Sequence, residues 1–290
     1  MKKYNLTIVI VTFNSEKYIE KCIESISKSN IKKINYKIKI IDNNSSDGTS
    51  NIIEKIKNNK IFYINNKKNY GFAHAVNQGI SEQEGDGYVL LLNPDTVLEK
   101  ESLLNLIKCA EINNAGICGG TTIDDYGKES GSYFRKPNLM VGLFDFTNLR
   151  KLCKDDRWHK YFYFQKKDNG KKSFPVDVVT GGFMLIDKKT INKIGLFDES
   201  YFMYLEDVDY CLKASKAGIK IFHTNMSKIK HTGGASSNNK DKIRHTSWLK
   251  SRKIYFLKHF GILENIIIQP VFLFDDLLIL IRKIIKNFAK

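Results

Sequence analysis

The sequence predicts an α/β protein with a mostly parallel central sheet, and three observations carry that expectation. Apolar runs suited to strands buried on both faces alternate with helix-periodic stretches four times in the first 110 residues. The connections between them are short, as in a layered sandwich. Three polar residues, Thr12, Asp42 and Asp95, fall at or just beyond the carboxyl ends of these strands, where open α/β sheets seat their ligands.

The elements follow in order. Leu6–Val11 is a continuous apolar run. It follows Lys2 and Lys3, but it passes into Thr12-Phe13-Asn14-Ser15-Glu16 with no small-residue cleavage site, so a buried first strand is expected rather than a signal peptide. Ser15 is positioned to cap a helix whose apolar face is Tyr18, Ile19, Cys22, Ile23 and Ile26. Tyr36–Ile41 is a second strand ending at Asp42, and Ile52, Ile53 and Ile56 mark a second helix. Ile61–Ile64, Ala73–Ile80 and Tyr88–Leu92 read as strand, helix and strand. The last must stop at Asn93, because Pro94 lacks a donor and pushes its predecessor out of regular structure. Leu103, Leu104, Ile107 and Ala110 continue the alternation.

Residues 121–175 are less regular and rich in aromatics: Tyr133, Phe134, Phe144, Phe146, Trp158, Tyr161, Phe162, Tyr163 and Phe164, with a basic loop at 166–172. They read equally as one wall of a pocket or as a satellite core. In Phe202–Gly218, the acids Glu206, Asp207 and Asp209 crowd the start of a helix whose inward face is Val208, Cys211, Leu212 and Ser215, with Gly218 as its stop. Capping by the helix dipole accounts for one or two of these carboxylates. After a GGASSNN loop comes a basic helix through Ile243, Trp248, Ile254, Tyr255 and Leu257. The tail from Ile262 is apolar but interrupted by Glu264, Pro270, Asp275 and Asp276, too broken for a spanning helix. Leu277, Leu278, Leu280, Ile281, Ile284 and Ile285 with Arg282, Lys283, Lys286 and Lys290 fit an interfacial amphipathic helix. Docking on its own domain or on a second subunit is the alternative.

Composition is ordinary for a globular chain of 290 residues, 42% hydrophobic and 27% charged. Its five cysteines form no CxxC pair and are odd in number, which fits reduced thiols in a cytoplasmic protein. The net charge is +16, yet all but six of the 47 basic residues are lysine. Base-edge readout leans on bidentate arginine, so nucleic acid is not the expected partner, while an anionic membrane surface stays open. Neither a GxGxxG fingerprint nor a P-loop occurs.

Seven segments come in a characteristic order: VTFN at 11–14, DNNSSDGT at 42–49, NYGFAHAVNQG at 69–79, LLLNPDT at 90–96, TGGFMLI at 180–186, FMYLEDVDYC at 202–211 and HTGGAS at 231–236. Together they resemble the inverting glycosyltransferases of family 2, in particular the bacterial rhamnosyltransferase-like branch, over residues 6–236. The resemblance implies a GT-A type Rossmann-like sandwich with a mixed, mostly parallel sheet. It divides the chain into a nucleotide-sugar-binding half (1–120), an acceptor-binding and catalytic half (121–238) and a C-terminal helical extension (239–290).

The same resemblance assigns chemistry. Asp207, of the ED pair, is the general base, and Glu206 and Tyr204 lie near the acceptor with Gly181 and Gly182. Repulsion among Glu206, Asp207 and Asp209 would raise a carboxylate pKa toward neutrality, which suits a base. Thr12, Asn14, Asp42, Asn69, Asn93 and Asp95 form the donor site. Asp42 would accept the imide N–H of uracil or thymine, against a simple turn role in DNNSSDG. Asp95 is the ligand of a Mg²⁺ or Mn²⁺ ion on the diphosphate, with His231 as a second ligand, because this branch has Asn93-Pro94-Asp95 in place of two aspartates. The glycines at 181 and 182 either let the backbone approach the sugars or form a strand-entry turn.

The expected activity is transfer of a sugar from dTDP-rhamnose or a UDP-hexose to a glycan or polyprenyl-diphosphate-linked acceptor in bacterial surface polysaccharide synthesis. The expected location is the cytoplasm or the inner face of the plasma membrane, with peripheral contact through 262–290 and a homo-oligomer possible. A sugar nucleotidyltransferase would need a glycine-rich basic first loop in place of VTFNSEKY. A non-catalytic nucleotide-sugar-binding protein would not need Asp95 and Asp207.

Overall fold

The computed structural model describes residues 3–56, 58–80, 86–129, 131–153, 156–163, 170–231 and 238–288. Phe164, residues 166–169 of the basic loop, HTGGAS beyond His231, Lys2 and Lys290 therefore lie outside the described residues.

The first half alternates as its periodicity dictates. Strands β1 (Tyr4–Thr12), β2 (Ile34–Asp42), β3 (Ile61–Asn65) and β4 (Tyr88–Leu92) are separated by α1 (Ile19–Lys28), α2 (Thr49–Ile56) and α3 (Phe72–Ile80). A short β5 (Thr96–Leu98) and α4 (Ser102–Asn113) follow. The second half comprises β6 (Ile117–Ile123), β7 (Tyr133–Phe134), α5 (Leu139–Phe144), α6 (Arg157–Tyr163), β8 (Ser173–Pro175), β9 (Val178–Val179), β10 (Phe183–Asp187), α7 (Lys188–Ile194), α8 (Glu206–Lys216) and β11 (Ile221–His231). Helices α9 (Asn238–His259) and α10 (Ile262–Phe288) close the described chain.

The main sheet runs β3-β2-β1-β4-β10-β6-β11-β5, with β8 also on β11. The pairs β1–β2, β1–β4, β2–β3 and β6–β11 are parallel, whereas β10 is antiparallel to both β4 and β6. Strands alternate their side chains between faces. Thus Ile8 and Ile10 enter one core with α1 and α4, and Val9 enters the other with α3 and α8.

Four local expectations change. Ser15 does not cap α1 with its side chain; its carbonyl instead accepts the amides of Tyr18 and Ile19, both at 3.0 Å. The amide of Ser15 donates to Thr49 Oγ1 at 2.7 Å, so the residue belongs to a turn that ties β1 to α2. On α8 the inward position is Ala214 rather than Ser215, which is exposed, because the face rotates by one residue. Tyr133, Phe146 and Phe162 are buried in the second core with Phe134 and Tyr161 packed against it, so these five serve packing, whereas Tyr163 stays exposed.

The C-terminal helices are the fourth change, since they are not an appendage. Tyr255 and Phe256 of α9 and Ile268 and Phe272 of α10 are buried in the same core as Val141 and Phe146. Arg252, only 1% exposed, anchors this packing. Its guanidinium donates to Asp275 at 2.8 Å, to Asp276 and to the carbonyl of Phe146. The amide and side chain of Asn148 also donate to Asp275, each at 2.9 Å. One face of α10 thus docks on its own domain.

Removing one member of a buried pair strands the other without solvent. Asp275→Ala is expected to destabilise the fold by about 3 kcal/mol, the lower end for such a loss because Asp276 still holds Arg252. The half-exposed Lys253–Asp276 pair, 2.7 Å apart, should contribute no more than about 1 kcal/mol when Lys253 is truncated. Urea unfolding measures both; equal, small effects would show that α10 is not anchored through Arg252.

Candidate active site

Sheet register assembles the site at the carboxyl ends of β1, β2 and β4. Leu92 of β4 pairs with Phe183 of β10, and one step further the amide of Asn93 donates to the carbonyl of Gly182 at 3.0 Å. A Cβ on Gly182 would stand 2.7 Å from the Asn93 side chain, so only glycine lets the two turns meet. Pairing of Thr96 with His231 sets Asp95 beside that histidine, with His231 Nε2 3.1 Å from Asp95 Oδ1. Interaction with the Asp95 carboxylate, which accepts from the imidazole, holds the His231 pKa above its usual value despite burial.

Gly181 carries the next link. Its amide donates to Asp207 Oδ2 at 2.9 Å, and the amide of Val208 donates to Oδ1 at 2.8 Å. These two donors, one from the turn before β10 and one from the start of α8, fix the carboxylate plane, while burial pushes its pKa up. The approach to α8 is strained: Tyr204 (φ 75) and Leu205 (φ 64) are consecutive non-glycine residues in the left-handed region. Helix α9 holds this turn. Arg244 Nε donates to the Tyr204 hydroxyl at 2.8 Å, Trp248 meets the Tyr204 ring edge-on, and Ser251 donates to the carbonyl of Met203 at 2.8 Å.

The three acids of the α8 start separate in space. Glu206 is buried, its Oε2 has no hydrogen-bond partner, and burial followed by the charge of Asp207 raises its pKa well above the carboxylate range. Asp209 points the other way, correcting the expectation that it perturbs the base. It accepts from His259 at 2.6 Å and from Lys258 at 2.9 Å, contacts that hold its pKa low against the effect of burial.

Two adjoining basins result, of about 360 and 370 Å³. The first is lined by Thr12, Asn43, Asn69, Asp95 and Arg244, and the second by Gly181, Gly182, Glu206 and Asp207. Asn93, Tyr204 and His231 face both. Thr12 Oγ1 is buried without a partner at the wall of the first. Asn69 keeps its loop closed by accepting the amide of Gly71 at 2.9 Å.

Asp42 and Asn14 are not brought to the cleft wall. The fully buried Asp42 carboxylate accepts from the hydroxyls of Ser45 (2.5 Å), Ser50 (3.1 Å) and Tyr63 (3.2 Å), the contacts of a turn-holding residue. Asn14, at φ 53, accepts the Ser46 amide at 2.7 Å and stitches the same two loops together. The sequence reading missed Asn43, whose amide donates to the Gly71 carbonyl at 3.0 Å, and Arg244. Arg244 carried a signal, being one of six arginines in a lysine-rich chain.

Among the described residues, no group of three or more His, Cys, Asp or Glu side chains is placed to hold a metal. Asp95 and His231 converge as a pair, an arrangement that suits a Mg²⁺ or Mn²⁺ ion sharing its coordination with substrate oxygens rather than a closed protein cage.

The model of the family described as glycosyl transferase family 2 matches residues 7–195. The chain belongs to this family. It is 28% identical over 227 residues to the rhamnosyltransferase WbbL of Escherichia coli K12, covering 74% of this chain and 79% of that protein. It is 26% identical over 252 residues to an N-acetylglucosaminyl-diphospho-decaprenol L-rhamnosyltransferase of Mycobacterium tuberculosis, covering 83% and 80%. The structure of Staphylococcus aureus TarS 1-349 in complex with UDP-GlcNAc superposes with a TM-score of 0.59 at 16% identity, over 94% of this chain and 70% of that one. The fold of this family 2 glycosyltransferase is therefore GT-A.

The state of Glu206 has a measurable consequence. A carboxyl group with a raised folded pKa supports folding below the ordinary carboxylate range and withdraws that support as pH rises through the raised value. Glu206→Gln keeps the shape but cannot ionise. Its melting temperature is expected to exceed that of the wild type at alkaline pH, with the gap closing in acid. A pH series of melting curves with a constant gap would show that ionisation of Glu206 is not opposed by the fold.

Proposed function

We propose that this glycosyltransferase inverts the anomeric centre of a sugar taken from dTDP-rhamnose or a UDP-hexose and transfers it to a saccharide on a polyprenyl diphosphate in surface polysaccharide synthesis. The observation that carries this reading is Asp207, held by two backbone amides in a basin that shares Asn93 and His231 with the basin of Asp95. The relatives named above, a rhamnosyltransferase and an enzyme named for a decaprenol-linked acceptor, support the sugar and acceptor classes.

The nucleotide occupies the first basin, against Thr12, Asn43 and Asn69. Thr12 Oγ1 has hydrogen-bonding capacity to offer it. The acceptor enters the second basin beside Glu206 and the Gly181–Gly182 turn. Asp207 takes the proton of the attacking hydroxyl while the new C1–O bond forms on the face opposite the departing diphosphate, which inverts C1. Asp95 and His231 would hold a Mg²⁺ or Mn²⁺ ion, which when bound neutralises charge on the diphosphate. Arg244, at the rim of the first basin, adds a fixed positive charge there.

Asp207→Asn keeps shape but removes the proton acceptor, so turnover is expected to fall by ~10²–10⁴ with donor affinity unchanged. Because burial raises the Asp207 pKa, the acid limb of the kcat profile should lie above the ordinary carboxylate range. Near-normal turnover in the variant would sink the assignment.

Asp95→Ala is expected to abolish the metal dependence of donor binding, and chelation should reproduce this in the wild type. Calorimetric titration with UDP and dTDP, with and without Mn²⁺, checks both.

Asp42 is proposed to read the base imide by exchanging the Ser45 hydroxyl for the ligand N–H. A cytidine ring would then face acceptor with acceptor and bind at least roughly tenfold more weakly than uridine, since an unpaired buried group costs about 1–3 kcal/mol. Equal binding of CDP and UDP would return Asp42 to a purely structural role.

A further inference from the structure

Helix α10 exposes an apolar stripe although its inward face already supplies Ile268 and Phe272 to the core. A helix on a globular domain ordinarily turns its apolar stripe inward. Here the inward face includes Asn265, Gln269, Asp275 and Asp276, tied to α9 and to Asn148 by hydrogen bonds and ion pairs. The outward face is apolar, with Leu263, Ile266, Leu273, Leu277, Leu280 and Ile284 between 44% and 77% exposed. Over 27 residues this stripe runs about 40 Å. At the α9 end it is continued by Leu257, 60% exposed, which lines a shallow groove with Ile262 and Ile266.

We infer that the outward face of α10 lies on an anionic lipid surface as an in-plane anchor. Three observations select this occupant over a second copy of the chain. The first is width. A two-helix seam is a narrow stripe flanked by charged positions, but here Ile267, Phe274 and Ile281, all exposed, broaden the stripe to roughly 140°. Such breadth suits immersion in acyl chains.

The second observation is charge. The acids Asp275 and Asp276 are turned inward and neutralised by Arg252 and Lys253, while Arg282 and Lys283 are exposed toward the far end of the helix, Arg282 donating to Asn148 Oδ1 at 3.3 Å. A chain of net charge +16 is drawn to anionic lipid and repelled by its own copy. The third is length and hydropathy: among the described residues, no helix is long and apolar enough to cross a membrane, so on lipid the face would lie in plane rather than span. The inference goes beyond the donor, acceptor and base assignments and stands whether or not they hold.

The test is flotation of the full chain with vesicles of phosphatidylglycerol and phosphatidylcholine, against phosphatidylcholine alone, with light scattering in parallel. Binding to the anionic vesicles is expected to exceed binding to the neutral ones by at least about tenfold and to weaken with salt. The double variant Leu277→Glu, Ile281→Glu alters only exposed positions. It should keep its melting temperature and its affinity for UDP while losing vesicle binding by at least about tenfold. Unchanged vesicle binding by the variant would overturn the inference. So would a wild-type dimer in solution that these substitutions dissociate, since that outcome assigns the face to a second copy. Loss of UDP binding by the wild type itself would instead count against the donor site and leave the vesicle result intact.

Discussion

The antiparallel join between β4 and β10 is the constraint on which the site depends. The first four strands make a parallel sheet with its polar ends at one edge, but a parallel sheet alone leaves the donor loops without a catalytic partner. Inserting β10 against β4 puts the Gly181–Gly182 turn against Asn93, with the 3.0 Å bond from Asn93 to Gly182 as the clamp. From there the backbone holds the candidate base directly, because the next amide belongs to Gly181 and donates to Asp207. The β5–β11 register does the same for Asp95 and His231. Each candidate catalytic group is thus positioned by main-chain pairing, which is stiffer than contact between side chains.

The energetic cost of the arrangement is concentrated in one segment. Tyr204 and Leu205 sit in left-handed backbone, and Glu206 is buried with an unpaired oxygen. Such features persist only where surrounding structure over-determines them. Here the determinant is α9, which bonds the Tyr204 hydroxyl and the Met203 carbonyl from outside and secures the far side of α8 through Lys258 and His259 on Asp209. The helices after the last strand therefore complete the site, and Arg244 brings them to its rim.

Anchoring of α9 in turn requires α10. Arg252 is paired with Asp275 and Asp276 because both acids face inward beside the buried Ile268 and Phe272, and the opposite, apolar face of α10 is turned outward. The outward apolar stripe lies on the same hairpin that holds Tyr204 at the mouth of the cleft.

The sequence by itself determined the alternation of strands and helices, the end of β4 at Asn93-Pro94 and the place of Thr12, Asp42 and Asp95 at strand ends, because periodicity, proline and chain direction are local properties. It determined the family through seven ordered motifs, and with it the fold now seen. Tertiary structure decided what locality cannot reach. It separated Asp209 from Glu206 and Asp207, because neighbours on a helix point in different directions and their environments come from distant residues, Lys258 and His259 against the Gly181 turn. It sent Tyr133, Phe146 and Phe162 to the core and left Asp42 among the hydroxyls of Ser45, Ser50 and Tyr63. It turned the Asp275–Asp276 face of α10 inward together with Ile268 and Phe272, since a helical pattern shows that two faces differ but not which one a buried Arg252, ten residues before the helix begins, will pull inward.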